Sequence, residues 1–258
     1  MSLRNGISVI LPTLSCLLLP GWLPQPLSAQ GSESTPEKGS VVFVHPDGTG
    51  VSGWGAARLL KVGPDGTLNW DRLEGIGVYR GHMRTSLAAT SQGGATSHAY
   101  GVKVHWDSYG TDGGEALTSL SGKPFSILTE AREAGMGTAL LNSGHLAEPG
   151  TGVFASSAPS RAAVDEITLE IIESGTDIIM GGGEILLLPE GEVGRFNMPG
   201  LRKDSLNLIE YARELGYEVV YTRAELLELS PQTPKVLGIF APGYTFVDRT
   251  EEDLAAGG

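Results

Sequence analysis

The sequence predicts an α/β fold: a mostly parallel sheet with helices on both faces, in a three-layer α/β/α arrangement. Three observations carry this. Short apolar runs alternate with helix-period segments along the chain. Hydrophobic residues make up 40% of the sequence, enough for a sizeable core. The 37 glycines gather at the candidate loops between those segments. No internal repeat is visible.

The elements follow in order. "VVFVH", 41–45, reads as the first strand, and it runs straight into Asp47 in "HPDGTG". "GWGAARLLK" reads as a helix with Ala57, Leu60 and Lys61 near one face. "GVYRGHMRT" is an extended segment. "TSQGGATSHAYG" predicts a short helix, weakened by Gly93 and Gly94 and stopped by Gly101. In "PFSILTEAREAG", Pro124 marks a helix start, Ile127, Leu128 and Ala131 line a face, and Gly135 ends it. "GTALLNS" is a strand. "SRAAVDEITLEIIESG" is the strongest helix, with Val164, Ile167, Ile171 and Ile172 on the buried side and Leu169 off that stripe. "DIIMGGG" is a strand with a tight glycine exit. "DSLNLIEYARELG", "YEVVYT", "RAELLEL" and "KVLGIFAP" continue the alternation.

Residues 1–29 read as an export signal, which predicts a secreted or periplasmic protein. Arg4 supplies the positive end, "ISVILPTLSCLLLPGWL" the apolar core, and Ala29 a small residue for cleavage. Pro12 and Pro20 argue against a stable membrane span, and "TLS" before Cys16 is a poor lipidation box. Without Cys16 the exported chain has no cysteine, so packing and metals must hold it together. Residues 30–39 read as a disordered lead-in and 40–258 as the domain. The formal charge of −12 argues against a nucleic-acid partner. It does not exclude an anionic substrate, since a bound cation reverses the local field.

In parallel sheets ligands sit beyond the carboxyl ends of the strands. Four polar clusters fall there: Asp47; Ser91 at the start of a glycine-rich helix; His145, Glu148 and Thr151 in "NSGHLAEPGTG"; and Arg161, opening the long helix. A hydroxyl nucleophile, hard oxygen ligands and a planar cation together suit phosphoryl transfer. Singly, each has an ordinary reading: Asp47 as a turn residue, Ser91 as a helix cap, Glu148 as a loop acid, Thr151 as turn filler, Arg161 as a carbonyl partner. The five histidines show no ligand spacing such as HExxH.

Order and context add to this. "VVFVHPDGTGVSGWGAAR" resembles the opening of the alkaline phosphatase family. "TSQGGATSHAYGVKV" resembles its nucleophile segment, with Ser91 ten places before the Gly-Val-Lys at Gly101, Val102 and Lys103. "SGHLAEPGTGVFASSAPSR" resembles its magnesium loop and arginine, "SGTDIIMGGGE" its triple-glycine strand exit, and "PKVLGIFAP" its later strand. The resemblance implies hydrolysis of phosphate monoesters through a phosphoserine intermediate, with two zinc ions and one magnesium ion. It implies Ser91 as nucleophile, Arg161 as the phosphate grip, Asp47 as a ligand shared by zinc and magnesium, and Glu148 and Thr151 as magnesium-loop ligands. A homodimer is also expected.

Two departures stand out. Thr90 occupies the place where the resemblance implies an aspartate, which removes a carboxylate close to serine and arginine. "TSLAAT", 85–90, offers Ser86 as a rival nucleophile, but it lies fifteen places before Gly101. No histidine follows His145, whereas the resemblance implies histidine zinc ligands in a later half. The chain is therefore expected to be an N-terminal portion, incomplete as a catalyst alone. The alternative is a non-catalytic remnant with weak metal or phosphate binding. A sulfatase reading lacks its Cys/Ser-x-Pro-x-Arg setting.

Overall fold

The computed structural model describes residues 39–245. Residues 1–29, read above as an export signal, and nearly all of the expected lead-in lie outside the described residues. The chain divides into two units, Met1–Val44 and His45–Gly258. In the first, residues 41–44 are exposed and belong to no strand. This corrects the strand expected at 41–45. A strand is defined by its ladder with a neighbour, so an apolar, β-branched run does not by itself make one.

The second unit holds a parallel sheet, as the alternation predicts. Its strands are β1 (Ala139–His145), β2 (Ile178–Gly182), β3 (Glu218–Val220) and β4 (Val236–Ile239), in the order β1-β2-β4-β3. Ile178 pairs with Ala139 on one side and Val236 on the other, and Glu218 also pairs with Val236. All strand exits therefore lie at one edge. β4 is buried at every residue, because it is central and covered. β1 slips register between Leu141 and His145, where the Asn142 side chain accepts the Gly144 N–H at 2.7 Å. Such irregularities re-aim side chains near a strand end.

Helix α1 (Val51–Val62) forms where expected but buries none of its residues fully; Trp54 meets Trp70 edge-on at 4.7 Å. α2 (Ser91–Tyr100) is the reverse: it is mostly buried. Thr90 caps it by accepting the Gly93 N–H, and Gly101 closes it with φ of +70°. A Cβ on Gly93 would lie 2.6 Å from the Trp106 carbonyl oxygen, so the glycine lets the 106–108 segment cross closely. α3 (Ile127–Glu133) starts three residues after Pro124, because the Ser126 hydroxyl caps it. α4 (Pro149–Gly152) is a single turn. α5 (Val164–Glu173) buries Ile167, Ile171 and Ile172 as its period predicts, but Leu169 also packs partly on the core. Its first turn begins after Arg161, which sits in the preceding loop. α6 (Leu208–Glu214) and α7 (Arg223–Glu228) flank β3, and α6 packs on α5.

The excursion from Gly183 to Leu206 is held by two buried charges. Glu184 accepts the Arg195 and Phe196 N–H groups at 2.8 and 3.0 Å. Arg202 donates to Thr168, to the Leu186 and Asp165 carbonyls, and to Asp204. Both buried side chains are hydrogen-bonded, as burial of a polar group requires.

Candidate functional site

The site forms where β1 and β4 leave the sheet. After β1, Glu148 acts as the residue before α4, and its carboxylate becomes a hub. Arg161 Nη2 donates to Glu148 Oε2 at 3.0 Å. The Tyr244 hydroxyl donates to Oε1 at 2.8 Å, from a residue 96 positions away. His145 Nε2 lies 3.4 Å from the same oxygen, and its ring packs on Tyr244 at 4.7 Å. Burial lowers the His145 pKa, with Glu148 opposing the shift. The bond to Glu148, with burial, raises that of Tyr244, so the phenol keeps its proton and donates.

Close backbone approaches make this possible. A Cβ on Gly182 would lie 2.0 Å from the Gly243 carbonyl oxygen. One on Gly144 would lie 3.2 Å from Glu148 Cγ and 3.3 Å from Tyr244 Cδ1. The segment before Tyr244 is pinned in turn: Ala241 O accepts from Gly183 N and Glu184 N, and Pro242 O from Ile185 N.

The sequence-predicted residues divide. Glu148 and Arg161 are brought into direct contact. Thr151, in α4, accepts from Asn142 Nδ2 at 2.8 Å, which ties it to the irregular end of β1. Ser91 opens α2, which packs against α4. Ser86 instead lies in a loop, where its hydroxyl accepts the Ala88 N–H. Asp47 is exposed in a turn closed by Thr49 N to Pro46 O at 3.3 Å, with Gly48 at φ +69°. Neither Asp47 nor Ser91 makes a hydrogen bond or ion pair to Glu148, Thr151 or Arg161 in this structure. Tyr244 and Asn142 went unnoticed in the sequence. Asn142 lies within a strand that the sequence indicates, whereas no local pattern links Tyr244 to Glu148.

Oxygen donors of Glu148 and Thr151 suit magnesium in kind. A carboxylate oxygen accepts more than one bond, so the present partners do not exhaust its acceptor capacity. The two zinc positions implied by the resemblance do not fit these residues. Among the described residues, no group of three or more His, Cys, Asp or Glu could hold a metal ion. Arg161 is half-exposed and commits one nitrogen to Glu148, and the rest of its guanidinium can meet an oxyanion. No helix among the described residues is long and apolar enough to cross a membrane.

A parallel α/β sheet with an arginine–carboxylate pair at its carboxyl edge defines an α/β protein whose polar side chains gather beyond the strand exits. The sequence model of alkaline phosphatase matches residues 38–253, and the chain belongs to that family. It is 27% identical to streptomycin-6-phosphate phosphatase of Streptomyces griseus, across 85% of this chain and 51% of that protein. Alkaline phosphatase from the Antarctic bacterium TAB5 superposes with a TM-score of 0.63 at 20% identity, over 80% of this chain and 54% of that one. A mutant of that enzyme, solved with magnesium bound in its M3 site, gives 0.63 at the same identity, over 80% and 53%. The cold-active alkaline phosphatase of Shewanella sp. gives 0.60 at 22% identity, over 77% and 45%. These likenesses support the fold. The chain spans about half the length of the curated relative it matches.

Proposed function

We propose that this chain carries the nucleophile and the phosphate grip of a phosphate monoester hydrolase. The observation behind this reading is the Glu148–Arg161 pair at the sheet's carboxyl edge, in a member of the alkaline phosphatase family. Arg161 offers its open N–H groups to two phosphate oxygens, while Glu148 fixes the guanidinium. The Ser91 oxygen attacks phosphorus, the phosphorus–oxygen ester bond breaks, and the alcohol leaves with a proton. Water then splits the phosphoserine, returning serine and inorganic phosphate. The first turn of α2 adds backbone N–H groups that favour an anion. A magnesium ion held by Glu148 and Thr151 would add positive charge that stabilises the reacting phosphate. No step is assigned to zinc. Export through the leader at 1–29 belongs to the same proposal.

A second reading has its own support: binding without turnover. Asp47 stands in an exposed turn, and the Glu148 carboxylate is already bonded to Arg161 and Tyr244. Ser91 has no base hydrogen-bonded to it among the described residues. Turnover of a chromogenic ester by residues 30–258, with zinc and magnesium added, is accordingly expected to be negligible.

One experiment separates the readings. The chain is incubated with labelled inorganic phosphate at low pH, which runs the second step backwards, then quenched and mapped by peptide. Label on Ser91, lost in Ser91→Ala and kept in Ser86→Ala, supports the hydrolase. Label on Ser86 or Thr90 would overturn the assignment. Phosphate binding without any label supports the second reading.

A further inference from the structure

The phosphate grip assigned above depends on how Arg161 is aimed, and the following inference rests on that reading. A guanidinium on a flexible stem needs a fixed partner to present its fork to a ligand. The residue before Ser91 cannot be that partner. The Thr90 hydroxyl accepts the Gly93 N–H at 3.1 Å and donates to the Trp106 carbonyl, so its bonding is spent on capping α2 and tying it to the 106–108 segment.

Glu148 takes that role, but a glutamate has three side-chain torsions of its own and must itself be held. Its two oxygens are divided between two partners. Oε2 receives Arg161 at 3.0 Å, and Oε1 receives the Tyr244 hydroxyl at 2.8 Å. Tyr244 is well suited to hold it. Its chain is pinned by three backbone hydrogen bonds from residues 183–185, and its ring packs on His145. Gly144 and Gly182 lack the Cβ atoms that would block the approach.

We propose that Tyr244 is a positioning residue for phosphate recognition, acting through Glu148 to orient Arg161. The strand exits of β1 and β4 are thereby joined into one relay: backbone to Tyr244, Tyr244 to Glu148, Glu148 to Arg161. Tyr244 touches no substrate in this arrangement. Its effect is on the order of the guanidinium that does.

The test uses Tyr244→Phe, which removes the hydroxyl and keeps the ring on His145. Two quantities are measured on the full chain: the dissociation constant for inorganic phosphate, and the NMR signals of the Arg161 side-chain nitrogens without ligand. In the wild type the Arg161 signals are expected to show restricted rotation. In Tyr244→Phe they average, and phosphate binding weakens by roughly threefold to tenfold, part of the worth of one hydrogen bond to a charged group, because the loss reaches the ligand only through Glu148. In an Arg161→Ala background the same substitution is expected to cost nothing more, since the relay has lost its endpoint. Unchanged Arg161 signals in Tyr244→Phe would overturn the proposal, as would unchanged phosphate affinity, with the grip itself left standing. A wild type that binds phosphate no better than Arg161→Ala would instead overturn the grip, and the relay's role in recognition with it. A purely structural Tyr244 would lower the unfolding midpoint while leaving the nitrogen signals and the double-variant arithmetic untouched, and that result also counts against the relay.

Discussion

Tyr217 carries its hydroxyl inward and donates it to the Thr176 carbonyl at 2.6 Å. Burial, helped by Asp177 and opposed by Arg132, raises its pKa from 10.0 to about 12. Tyr109, buried against the Ala147 carbonyl, is raised by the same cause. The sign follows directly. Below pH 10 the phenol is protonated in both states, and its stabilising contribution is complete. As pH climbs toward 12 the unfolded chain releases the proton first, and the contribution is lost. The urea midpoint is therefore expected to fall between pH 10 and 12. Tyr217→Phe should start lower, by about 1 kcal/mol for the missing bond, and then fall less steeply. A variant that falls as steeply as the wild type would remove Tyr217 from the account. At this scale the sequence was a partial guide. Glu148 and Arg161 flank α4 only 13 positions apart, so one stretch of sequence carries both partners of the ion pair. Tyr244 was not readable, because its partner is 96 positions away and only the fold brings the two together.

The strand exits set the site, and Gly182 sets the strand exits. Its φ lies outside the left-handed region, but an added Cβ would lie 2.0 Å from the Gly243 carbonyl oxygen and 3.1 Å from that of Gly144. Both neighbours are backbone, so neither can turn aside. Gly182→Ala is expected to destabilise by about 1–3 kcal/mol as an overpacking change. It should also weaken phosphate binding by pushing Tyr244 off Glu148. Gly137→Ala, which meets nothing within 4 Å, is the control. Equal urea midpoints for the two variants would show that the approach at Gly182 is looser than drawn. Elements differ in how far local sequence defines them. α5 was legible because its apolar period alone fixes a buried stripe. The start of α3 was misread because Pro124 is a permissive signal, whereas the Ser126 hydroxyl makes the bond that caps it. The segment 41–45 was apolar and β-branched yet forms no strand, since a strand is a relation between segments and its composition supplies one side.

Across the whole molecule, the alternation of apolar runs and helices was enough to indicate a parallel sheet, because parallel neighbours require crossovers. The same pattern marked α1 as a helix without showing that none of its residues would be fully buried. Val51 and Leu60 of α1, and Ile76, Val78 and Leu87 after it, are all exposed, in a chain of formal charge −12. The two features pull on the protein's colloidal behaviour in opposite directions. At low ionic strength the like charges keep copies apart. Screening shortens from about 10 Å at 0.1 M salt to about 3 Å at 1 M, and sulfate strengthens the attraction between apolar surfaces. The osmotic second virial coefficient should therefore change from positive to negative as ammonium sulfate is added, well before the chain unfolds. Leu60→Glu with Ile76→Glu should move the crossover to higher salt. A chain that stayed repulsive in molar sulfate would mean that these side chains do not meet the solvent.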